Sequence, residues 1–87
     1  MIIDPLTMHL SIHSIQKTLF DGACEKVIAR TPQGQITVLD HHLPIITLIT
    51  GPFVEATDSR GKMIRIPMTG GFLEVQPESK IVILAES

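Results

Sequence analysis

The chain has 87 residues, 44% of them apolar and 18% charged, with a formal net charge of −2. A chain this short is expected to fold as a single domain, residues 1–87. It buries only about 60 to 65% of the surface its unfolded form exposes, so this apolar share leaves surface for a partner. Seven Lys plus Arg, and three Phe with no Trp or Tyr, exclude a phosphate-binding footprint and a base-stacking platform, and with them nucleic acid as a partner.

The N-terminal MIIDPLTM carries neither a basic region nor a long apolar one, and no window approaches the roughly 18 apolar residues of a membrane span. In MHLSIH, Met8, Leu10 and Ile12 alternate with His9, Ser11 and His13, which predicts a strand with one buried face. Cys24 is the only cysteine, so no intrachain disulfide forms; a reducing compartment and a small buried hydrophobe are the expectation. Turn signals recur about every ten residues: FDG at 20–22, TPQG at 31–34, DHHLP at 40–44, TGP at 50–52, DSRG at 58–61 and QPES at 76–79. That spacing predicts an all-β sandwich or barrel, with DSRG and QPES as hairpin loops.

Further strands are expected where Ile64, Ile66 and Met68 alternate with Met63, Arg65 and Pro67, and where Leu73 and Val75 alternate with Glu74 and Gln76. Pro67 cannot donate to a ladder and marks an edge or a strand end. Gly70 and Gly71 open a strand, which points to a bulge or a close approach of another backbone. The final run, Ile81 to Ala85, is apolar at every position and reads as a strand covered on both faces. No helix, repeat or linker is predicted.

Chemistry-bearing residues are few. His9 and His13 share a strand face but stand about 13 Å apart at roughly 3.3 Å per residue, too far for one ion. His41 and His42 are adjacent, and a zinc site needs three or four converging ligands. An acid–base reading assembles only Asp40 with Thr37 or Thr47, and Asp40 at the head of a turn is an Asx-type turn former. TGG lacks the helix a phosphate loop requires. No metal, cofactor or catalytic residue is therefore expected. Phe20, Phe53 and Phe72 read as core or interface anchors, Met63 and Met68 as gap fillers, and the mixed charges at Glu25, Lys26, Glu55, Arg60, Lys62 and Arg65 as a solvated face. Two readings stay open from the residues alone: a free-standing β-type adaptor binding through an edge strand, and a small cupin-like metal enzyme built on Asp40, His41 and His42.

The ordered segments HLSI, KTLFDG, EKVIARTPQGQITVLDHHLPIITLITGPF, MTGGFLEVQP and KIVILAES resemble the N-terminal β-sandwich domain of the epsilon subunit of F-type ATP synthases, from Met8 to Ser87. GGFLEVQP is the most specific piece; next is the block in which Gly34, His42 and Pro44 match a glycine followed by a PGHAP-like turn. Asp40 and His41 stand where Pro and Gly are usual, and Gly51-Pro52 reverses the customary order.

The resemblance implies a ten-stranded sandwich of two sheets. It implies a non-catalytic rotor subunit of the central stalk, bound to the gamma subunit and to the membrane-embedded c-ring, and peripheral on the cytoplasmic face of the membrane. It serves ATP synthesis and hydrogen ion transport without a cofactor. The DHHLP turn becomes a docking tip, with Gln35 and His42 at the c-ring contact by position and His41 and Asp40 as further candidates from this sequence. Family members usually continue into two C-terminal helices that can inhibit hydrolysis or bind ATP. The sequence stops at Ser87, so neither activity is expected, and an uncovered gamma-binding face would let the isolated domain self-associate.

Overall fold

In chain order, seven strands form among the described residues where apolar and polar residues alternate: β1 (Met8–His13), β2 (Thr18–Thr31), β3 (Gly34–Leu39), β4 (Ile45–Asp58), β5 (Met63–Pro67), β6 (Gly70–Gln76) and β7 (Lys80–Ala85). They come from a computed structural model that describes residues 7–86; the MIIDPL segment lies outside the described residues. No helix occurs among the described residues, and the all-β expectation holds.

The strands run in the order β3-β2-β1-β7-β6-β4-β5, and a further β2–β4 pairing closes β1, β2, β4, β6 and β7 into a ring. Among the described residues only β1 and β7 pair in parallel. The closure depends on the two long strands, β2 and β4, of 14 residues each. β2 pairs with β1 as far as Cys24, with β4 from Cys24 onward, and with β3 from Lys26 onward. β4 pairs with β6 over Ile45–Thr50 and with β5 over Phe53–Thr57. The two long strands thus carry the closure, and among the described residues the expected ten strands become seven, β2 and β4 each running on through a predicted turn. Register shifts between Cys24 and Lys26 and between Ile28 and Arg30 let the pair bend across the junction, as bulges do.

Two turn signals are corrected by this continuity. FDG lies inside β2, where Asp21 faces Ser11 and Gly22 faces Leu10; His9 Nε2 stands 2.7 Å from Asp21 Oδ1 on the solvent side. TGP lies inside β4, where the strand leaves β6 for β5. There the Gly51 N–H donates to the Thr69 carbonyl at 3.2 Å and the Pro52 carbonyl accepts from the Met68 N–H at 3.0 Å. The remaining signals do separate strands, with TPQG closed by the Thr31 hydroxyl donating to the Gly34 carbonyl at 2.8 Å.

The core lies inside the ring. Leu10, Ile12, Val27, Val38, Val54, Leu73, Ile81 and Ile83 are fully buried, each contributing roughly 1.5 to 3 kcal/mol relative to exposure. Cys24 is buried with them, and burial pushes its thiol up from 9.0 to about 11. Met68 is buried but Met63 is exposed, so only the first fills a gap. The close approach expected at the glycine pair is present: a Cβ on Gly71 would stand 2.1 Å from the Leu84 carbonyl oxygen.

β7 corrects a further expectation. Ile81, Ile83 and Ala85 face the core, whereas Leu84 is exposed and Val82 only half-buried. The strand is covered on one face, and its second apolar face lies on the outside of the sandwich.

Candidate functional site

Two surfaces concentrate the exposed apolar and polar groups with functional potential. The first follows β3 to the turn after it. Gln35 is exposed near the start of β3, opposite Arg30 of β2. Asp40, His41 and His42 sit beyond the other end, five residues on, which places Gln35 about 16 Å from Asp40 at roughly 3.3 Å per residue. The structure brings the three turn residues together and leaves Gln35 apart from them. The candidate surface is therefore the length of an edge strand rather than a tip.

The turn is built by its backbone. The His42 N–H donates to the Leu39 carbonyl at 3.1 Å, and His41 takes a φ of 65°, a conformation uncommon outside glycine. The His42 ring Nδ1 lies 2.7 Å from the Leu43 carbonyl oxygen; a carbonyl only accepts, so Nδ1 is the donor in this contact. Asp40 turns inward. Its side chain is only 9% exposed, with Oδ2 3.4 Å from His41 Nε2 and Oδ1 accepting from the Ser79 hydroxyl. Leu39 and Leu43 project into solvent at 53% and 77% exposure, and a groove of about 450 Å³ beside them is lined by Glu25, Lys26, Leu39, Asp40 and Thr57.

The second surface is the outer face of the β4–β6–β7 sheet. Ile46 pairs across from Glu74, Leu48 from Phe72, and Phe72 from Leu84, so their side chains stand on one face. Ile46, Leu48, Phe72 and Leu84 are all more than half exposed. With Glu74 and Val82, three of them line a shallow depression of about 210 Å³. Four large apolar side chains side by side exceed the scattered singles normal for a soluble surface. Phe72 is exposed on this face, whereas Phe53 is half-buried beneath the Arg65 guanidinium, 4.7 Å from the ring centroid.

Sequence reasoning named the turn but missed Leu39, Leu43, Ile46, Leu48 and Leu84. The available signal was apolar residues at both strand parities in IITLIT and KIVILA, which an open strand face shares with a covered one. Among the described residues, no three of His, Cys, Asp and Glu converge to hold a metal ion. No helix among them is long and apolar enough to cross a membrane.

Residues 7–87 match the family described as the ATP synthase, Delta/Epsilon chain, beta-sandwich domain. The ATP synthase epsilon chain of Brevibacillus brevis is 31% identical over 80 residues, which are 92% of this chain and 60% of the relative. Among solved structures, a chain of the Euglena gracilis mitochondrial ATP synthase OSCP/F1/c-ring superposes with a TM-score of 0.86 at 19% identity, over 95% of this chain and 52% of that one. A chain of the central stalk and c-ring of the Tetrahymena thermophila mitochondrial enzyme gives 0.75 at 14% identity, over 92% and 63%. At these identities the structural likeness is one of fold, and the chain spans about half to two thirds of the length of each relative.

Proposed function

The chain belongs to the delta/epsilon β-sandwich family of ATP synthases, and from that premise we propose that residues 1–87 act as one non-catalytic domain of the rotor. In this reading it links the gamma subunit to the c-ring in the central stalk of an F-type ATP synthase, peripheral on the cytoplasmic face of the membrane. The observation that carries the proposal is the apolar outer face of Ile46, Leu48, Phe72 and Leu84. This face is where gamma docks, burying on the order of 1,200 to 2,000 Å² in all, the range of a specific interface. The β3 edge, from Gln35 to the turn of Asp40, His41 and His42, meets the polar loops of the c-ring. A closed ring of strands around a buried apolar core supports the mechanical role, because close-packed interiors transmit strain instead of absorbing it.

Site-directed cross-linking in the assembled enzyme tests this assignment. Cys24 is fully buried, so a cysteine placed at Phe72 or Gln35 is the accessible thiol of this chain, and labelling it with a photoreactive maleimide before assembly confines the reagent to that position. Gamma adducts from position 72 and c-subunit adducts from position 35 are expected; the reverse pattern would sink the assignment of faces.

One observation favours a second reading. β3, GQITVL, carries no charge and no proline and pairs, among the described residues, only with β2. Edge strands of that kind accept an added strand, as an adaptor would use them. Binding of an unrelated extended peptide in preference to gamma would put that reading first.

A further inference from the structure

Among the described residues, three that are not glycine hold a positive φ: His41 at 65°, Glu78 at 67° and Ser79 at 58°. Such backbone is uncommon for residues with a side chain and gathers where the surroundings over-determine it. The three lie in two turns far apart in the chain, His41 in one and the adjacent Glu78 and Ser79 in the other, and the two turns meet at one contact, the Ser79 hydroxyl donating to Asp40 Oδ1 across a separation of 39 residues.

Each end of this contact is anchored differently. The Ser79 carbonyl accepts from the His9 N–H at 2.9 Å, so the β6–β7 turn is tied to the start of β1 as well as to its own hairpin. The Asp40 carboxylate, 9% exposed, is carried by a turn whose own backbone closure is the single His42 N–H to Leu39 carbonyl bond at 3.1 Å. A turn with Pro second and Gly third would hold itself, since Pro presets its φ and Gly meets no steric penalty at positive φ. Asp40 and His41 supply neither property. Hydrogen bonds to charged acceptors are the stronger class, and here one reaches from the firmly held hairpin to the loosely closed turn.

We propose that Ser79 is a positioning residue for the histidine turn, its hydroxyl fixing the Asp40 carboxylate and through it the aim of His41 and His42. The tether gives the turn from a distance the rigidity its own residues lack. Its use rests on the reading of that turn as a docking element, whereas its existence does not.

The test is amide hydrogen exchange on the full chain. Ser79→Ala should speed exchange of the His42 amide at least tenfold and leave the Leu73 and Ile83 amides of β6 and β7 unchanged. Ser79→Asn, which tolerates the left-handed backbone at this position and keeps a hydrogen-bond donor, should restore slow exchange. In an Asp40→Pro, His41→Gly background the turn holds itself, and Ser79→Ala should then change His42 exchange less than twofold. An unchanged His42 amide in the first variant would overturn the proposal, and so would equal acceleration throughout β6 and β7, which would make Ser79 a general hairpin residue. Cross-linking from a cysteine at position 42 to the c subunits of the assembled enzyme separates the two ideas. Adducts that fall at least fivefold with Ser79→Ala support both; none in either background, with exchange responding as expected, confirms the tether and overturns the docking reading.

Discussion

Leu48 and Phe72 stand directly opposite each other on the antiparallel strands β4 and β6, and each leaves 51% of its surface in solvent. A cross-strand apolar pair ordinarily stabilises a sheet by less than about 1 kcal/mol, so its worth to the isolated fold is small. Its worth to an interface is larger, because aromatic anchors near the centre of a contact dominate its energy.

Phe72→Asp is therefore expected to weaken gamma binding at least tenfold, about 1.4 kcal/mol, while folding stability stays within roughly 0.5 kcal/mol, as for other surface positions. Titration calorimetry against gamma and urea unfolding of the same variant check the two halves separately.

Gly71 makes the opposite case, a residue whose role lies wholly in the fold. A Cβ there would lie 2.1 Å from the Leu84 carbonyl oxygen and 3.1 Å from the Ala85 Cα, so β6 and β7 must part to admit it. Gly71→Ala should cost about 3 kcal/mol, the upper range for overpacking. Gly61→Ala, at a φ of 84° but in open space, should cost about 1 kcal/mol, the penalty of left-handed backbone alone. Urea midpoints of the two variants give the comparison.

Acid should loosen the β4–β5 hairpin first. Asp58 Oδ1 accepts from the Lys62 N–H and the Arg60 N–H, both at 2.9 Å, and these bonds hold its carboxyl below the ordinary 3.8. A group with a lowered folded pKa stabilises above its unfolded value, and that contribution is lost as pH falls through the folded value. Exchange of the Lys62 amide should therefore accelerate below the ordinary carboxylate range. Asp58→Asn, which keeps an acceptor and does not titrate, should abolish the dependence.

Alkali acts through Cys24, whose thiol is pushed from 9.0 to about 11 by burial. The folded state keeps its proton where the unfolded state has lost it, so stability is full below pH 9 and falls as pH rises towards the folded value. The loss amounts to roughly 2 to 3 kcal/mol at 1.36 per unit. Unfolding curves across that window should lose this part of their slope in Cys24→Ala, the other titrations being common to both proteins.

Alternation was the legible part of this fold. Met8, Leu10 and Ile12, or Leu73 and Val75, announce their buried face because period two is a local property. Gly71 was legible too, since a glycine pair opening a strand has few other uses. FDG and TGP misled because Gly and Pro were judged by their neighbours in sequence. Whether a strand tolerates them depends on the partner across from them, and Gly51-Pro52 falls where β4 changes partners. Ile81 to Ala85 misled for another reason: a face open to a second protein has the same composition as a face covered by the same chain. The Asp40–Ser79 contact had no local signal, its two ends lying 39 residues apart.

In the proposed rotor, gamma completes the outer face of β4, β6 and β7. Mixing the purified chain with its cognate gamma subunit at micromolar concentration, followed by size-exclusion chromatography with light scattering, tests this docking most directly. A stable complex of one chain with one gamma is expected, and Phe72→Asp should dissolve it. Two separate peaks, or a complex indifferent to Phe72→Asp, would contradict the docking.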